Sequence, residues 1–158
     1  MFSAFLLTLL VLTPPQAASE ISQTQKREFI QLLKSLPHKS EFFTDEAIQK
    51  AGPYLAVLFS LTEKDIEKYD IYPFLAVSRG LCDQEEHRSY ATQHFAEIRH
   101  PLLKLFWAAM LFDSKVQSPE ILQFLRKALE SSEQANLLSE ITGPHFEDFK
   151  TRVLSVKN

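Results

Sequence analysis

Pro101-Leu102-Leu103-Lys104-Leu105-Phe106-Trp107-Ala108-Ala109-Met110-Leu111-Phe112 is a run of helix-forming, mostly apolar residues with a single charge, Lys104. Proline suits its first turn, where the N–H has no intrahelical partner. A helix that is apolar on nearly every side must be covered on several sides. The run is therefore expected at the centre of a helical domain, with Trp107 and Phe106 among its largest buried areas.

The flanking sequence repeats this grammar at lower hydrophobicity. Ser118-Pro119 opens a helix whose Ile121, Leu122, Phe124, Leu125, Ala128 and Leu129 form one face opposite Arg126, Lys127 and Glu130. Ser132 starts another that stops at Gly143, and Pro144 opens a terminal helix with Phe146, Phe149, Val153 and Leu154 inside. Toward the N-terminus, Ser22 to Leu36 places Phe29, Ile30, Leu32, Leu33 and Leu36 at helical spacing before Pro37. Thr44 can cap a short helix through Ala51, and Gly52-Pro53 breaks it. Pro53 to Leu61 is expected to bury Tyr54, Leu55, Val57, Leu58 and Leu61. Thr62 with Asp65 reads as the N-cap of a short helix ending near Tyr69. Pro73 opens Phe74 to Cys82, and Asp83 or Gln84 opens a longer helix through Ile98.

No segment alternates apolar and polar residues long enough to make a strand, so the fold class is all-α, with roughly eight or nine short helices. Composition agrees: three glycines and 13 phenylalanines occur among 158 residues, 45% of which are apolar.

Residues 1–19 carry no charged side chain, and Phe2 to Leu12 form an apolar run that stops at Pro14-Pro15. That is the outline of a signal peptide. A stretch of eleven residues falls well short of the ~20 that span a bilayer as a helix, although an uncleaved N-terminal membrane anchor is the alternative. Ala17 and Ser19 supply the small residues needed for cleavage before Glu20. The chain then divides into a signal peptide, 1–19, and a single all-helical domain, 20–158, that is secreted or periplasmic. Roughly 139 residues remain, enough for one domain with its own core.

The lone cysteine, Cys82, precludes an intramolecular disulfide and lies at the end of an apolar helix, where burial is expected. A net charge of −3 with no Lys/Arg cluster longer than Lys26-Arg27 argues against nucleic acid and anionic lipid as partners. The mixed stretch Glu63, Lys64, Asp65, Glu67 and Lys68 reads as an exposed helix face.

Internal echoes are present. Pro53-Tyr54-Leu55-Ala56-Val57 returns as Pro73-Phe74-Leu75-Ala76-Val77, and Pro101-Leu102-Leu103 answers Pro73-Phe74-Leu75. Asp83 followed by His87-Arg88-Ser89-Tyr90-Ala91-Thr92-Gln93-His94-Phe95-Ala96-Glu97-Ile98 resembles the turn and second helix of a HEAT-type (armadillo-like) repeat. His87 replaces the usual Val or Ile of that pattern, and His94 stands where Ala is common. The resemblance covers about sixty residues and implies a curved α-α superhelix of antiparallel helix pairs, whose faces bind other proteins. It also implies that Asp83 and Arg88 bridge repeats.

Candidate chemistry is confined to one region. His87, His94 and His100 lie near Glu86 and Glu97, and Glu97-x-x-His100 has the spacing used in di-metal carboxylate bundles. No second Glu-x-x-His exists, and Pro101 biases His100 out of helical geometry. His87 and His94 are expected to be partly buried and hydrogen-bonded. Asp83, Glu85 and Glu86 are explained by the helix dipole and solvation. No catalytic, cofactor-binding or metal-ligating residue is assigned. The expected function is that of an exported helical-repeat module mediating protein–protein interaction, without catalysis. The alternative is a small metal-binding protein or enzyme using His87, His94, Glu97 and His100.

Overall fold

Local capping chemistry fixes most helix starts. The computed structural model describes residues 21–39 and 42–157, so the expected signal peptide lies outside the described residues. Helix α1 (Gln23–Ser35) begins in a reciprocal capping box, in which Ser22 Oγ accepts from Gln25 N and Gln25 Oε1 accepts from Ser22 N. A two-residue antiparallel ladder follows, β1 (His38–Lys39) pairing with β2 (Phe42–Phe43). Among the described residues it is the one strand pairing, too short to have shown any alternation in the sequence. Helix α2 (Asp45–Ala51) is capped by Thr44 Oγ1, which accepts from Ala47 N at 3.3 Å.

Gly52-Pro53 tightens the chain rather than ending it. A 3-10 turn, Gly52–Tyr54, leads directly into α3 (Leu55–Ser60). Tyr54 was expected inside but is 36% exposed, with one face stacked on Phe29. The other four apolar residues expected to be buried there, Leu55, Val57, Leu58 and Leu61, are in the core. A single turn, α4 (Glu63–Ile66), precedes α5 (Tyr72–Cys82).

The helix expected to run through Ile98 is divided. Helix α6 spans Glu85–Gln93, His94 leaves helical geometry at φ −110° and ψ 18°, and a 3-10 turn covers Phe95–Glu97. This tighter turn carries Phe95 and Ile98 into the core and brings Arg99 N within 2.9 Å of the Phe59 carbonyl. Long-range packing thus overrides the local helical pattern.

Helix α7 (Pro101–Asp113) packs against α5, α6, α8 (Pro119–Glu130) and α9 (Ser132–Thr142), the central place its composition requires. Trp107 is fully buried, whereas Phe106, expected to match it, is only partly so. Gly143, at φ 58°, ends α9 in a conformation that glycine adopts without steric cost, and a 3-10 turn leads into α10 (Phe146–Ser155). The fold is all-α, and one cluster of buried apolar side chains runs from Phe29 to Val153. Among the described residues no helix is long and apolar enough to cross a membrane.

Among the described residues, two polar pairs join separate helices within this core. Lys26 Nζ lies 2.8 Å from Asp65 Oδ2, with side chains only 8% and 10% exposed, so α1 is tied to α4. The mixed-charge stretch is therefore not uniformly an exposed face: Asp65 points inward. Thr62 donates to the same oxygen through N and Oγ1. Burial pushes the Asp65 carboxyl up, but Lys26 and Thr62 outweigh it and hold its pKa below the usual range. In the second case, Trp107 Nε1 donates to the buried Ser78 Oγ, which donates to the Phe74 carbonyl.

Candidate functional site

The four residues of the sequence-based metal or acid–base candidate are engaged separately. His87 packs against Gly52 so closely that a Cβ added there would lie 2.9 Å from its Nε2. The ring is partly buried as expected, but among the described residues its Nδ1 has no hydrogen-bond partner, and its Nε2 lies 3.7 Å from Glu86 Oε1, beyond hydrogen-bond distance. His94 stacks on Tyr90, ring centroids 4.2 Å apart, and its Nδ1 lies 2.8 Å from Glu97 Oε1. His100 is the N-cap of α7, its Nδ1 facing Leu103 N at 3.5 Å. Burial lowers the pKa of His100, which favours the neutral ring that a capping acceptor requires. The structure brings together only His94 and Glu97. Among the described residues, no group of three or more His, Cys, Asp or Glu side chains is placed to hold a metal ion.

Cys82 and Arg88 serve the turn between α5 and α6. The thiol is buried, and its burial pushes the pKa up to about 11, against the opposing pull of Arg88. Arg88 Nη1 donates to the Cys82 carbonyl at 2.8 Å, satisfying a backbone acceptor at the end of α5. Asp83, Glu85 and Glu86 are exposed, the last two in the first turn of α6.

A groove of about 360 Å³ lies elsewhere, between β2, α2 and α5. Gly80 sets how closely two of its walls approach. A Cβ at that position would sit 2.3 Å from Ile48 Cδ1 and 2.6 Å from Cγ1, so only glycine lets α5 approach α2 this closely. Ile48, Gly80 and Ala76 line the groove with Phe42 and Phe43. Phe42 is 56% exposed, a large apolar side chain left in water beside a groove whose lining mixes apolar and polar side chains. Asp45, Arg79 and Asp83 also line it, and none of the three forms an ion pair among the described residues.

Sequence reasoning did not single out this groove. Two signals were available: adjacent phenylalanines outside any helical pattern, and an isolated glycine inside an apolar helix, which marks close backbone packing. What the sequence does not contain is the information that Phe42 and Gly80 belong to one surface. No protein-family model, curated protein or solved structure matches the chain.

Proposed function

We propose that the chain is an exported helical module, HEAT-like in character, that works by holding a segment of another protein in the groove between β2 and α5. The observation that carries this reading is the exposure of Phe42 beside Ile48 and Ala76, with charges around it that form no ion pair among the described residues. A trough of about 360 Å³ is at the small end of the roughly 300–1,000 Å³ typical of ligand pockets. It suits one or two anchoring side chains of a longer partner, the usual way in which a small buried cluster carries an interface. The separate engagement of His94, His100 and His87 favours binding over catalysis.

The test is site-specific photocrosslinking in the native host, with a benzophenone amino acid at position 42 of the full chain. Position 133, an exposed site on α9, serves as control. A discrete adduct from position 42, not seen from position 133, is expected. Equal or absent crosslinking at both positions would sink the docking reading. N-terminal sequencing of the exported protein tests the address, with Glu20 expected as the first residue.

A further inference from the structure

We infer that the segment received by the groove is basic as well as apolar, carrying Lys or Arg beside a large hydrophobic anchor. This rests on the docking reading above and adds the chemistry of the partner. Around the groove, to whose lining Phe42, Phe43, Ile48 and Ala76 contribute apolar side chains, the described charged side chains are two carboxylates, Asp45 and Asp83, and one guanidinium, Arg79. Past Gln84, which also lines the groove, the acidic side continues in the exposed Glu85 and Glu86 of α6. Glu46, next to Asp45, is already paired with Lys50 at 2.7 Å and Glu86 lies 3.7 Å from His87 Nε2, so among the described residues the unpaired negative charge belongs to Asp45, Asp83 and Glu85.

An acidic partner would meet this surplus of carboxylates as a like charge, and among the described lining residues Arg79 alone would attract it. A basic one can place cations against Asp45 and Asp83 while its apolar side chain covers Phe42. Complementarity of this kind governs specificity and encounter rate more than total affinity, and salt weakens it.

Short fluorescein-labelled peptides with a central Leu or Phe test the inference by fluorescence anisotropy on the full chain. One set carries flanking Lys and Arg, one flanking Asp and Glu, and one only Gly and Ser. The basic set should bind at least about tenfold more tightly than the acidic set. High salt should narrow that gap, and Asp45→Lys with Asp83→Lys should reverse the order. Ala76→Arg, which fills the trough, should abolish binding of every set. Phe42→Ala, at an exposed position that leaves the core intact, should weaken every set.

Acidic or neutral peptides binding as well as basic ones, with loss in Phe42→Ala, would overturn the basic partner while leaving the docking groove standing. If no set binds, the groove reading falls with it. Sedimentation showing a dimer that Ala76→Arg dissolves would assign the groove to a second copy of the chain and overturn the inference.

Discussion

Trp107 of α7 donates its indole N–H to Ser78 Oγ of α5 at 3.1 Å, joining two central helices through a hydrogen bond that no solvent reaches. Replacing Ser78 by Ala leaves a buried donor without an acceptor. The expected cost is about 1–3 kcal/mol. Urea unfolding followed by fluorescence of this sole tryptophan measures it directly, and a midpoint unchanged from the parent would show that the indole has found another acceptor.

Lys26→Met should be more damaging, because it strands Asp65 in a site only 10% exposed. Removing one member of a buried pair typically costs about 3–5 kcal/mol. The pair also predicts acid sensitivity. Asp65 is held below its unfolded pKa, so its contribution is complete above roughly pH 4–5 and is lost as pH falls toward the folded value. Stability measured between neutral pH and pH 3 should fall less steeply in Asp65→Asn than in the parent.

Gly80→Ala should force α5 away from α2. Overpacking of this kind costs about 1–3 kcal/mol, somewhat offset by the better helix propensity of alanine. The obstructing atoms belong to Ile48, so adding Ile48→Ala should make the double variant less unstable than the sum of the two single losses. A strictly additive double-mutant cycle would exclude the contact as the cause.

His100 gives a second pH dependence, in a different window. Its folded pKa is lowered by burial, with Glu63 opposing, so the stability it contributes is complete above the unfolded value of about 6.5. It is lost as pH falls from there toward the folded pKa, when the protonated ring no longer accepts from Leu103 N. His100→Asn keeps an acceptor at the cap and should flatten the stability profile below about pH 6.5.

Cys82 should be inert in the folded protein. With its thiol buried and its pKa pushed up to about 11, alkylation by iodoacetamide at neutral pH should be slow until urea unfolds the chain. Rapid labelling without denaturant would contradict the buried position.

The histidine region shows where sequence reasoning reached its limit. Spacing placed His87, His94 and Glu97 on one continuous helix, and the break after Gln93 undoes that arrangement. Propensity does not encode the break. It follows from the positions of Phe95, packed edge-on against Phe124 of α8, and of Arg99, whose N–H bonds the end of α3. Similarly, Lys26 and Asp65 each read as surface residues, because a polar residue in an amphipathic pattern is assigned to solvent unless its partner is known.

The amino-acid sequence by itself determined the all-α class, most helix starts and the central position of α7, because prolines, capping side chains and the 3.6-residue period act within a few residues of one another. Only the tertiary structure decided which polar residues go inside, where the sixth helix ends and which residues share a groove. Lys26 and Asp65 lie 39 positions apart, Ser78 and Trp107 lie 29 apart, and Phe42 meets Ala76 only once α5 has packed against β2. Such pairings are set by the mutual burial of whole helices, a property that no local window of sequence contains.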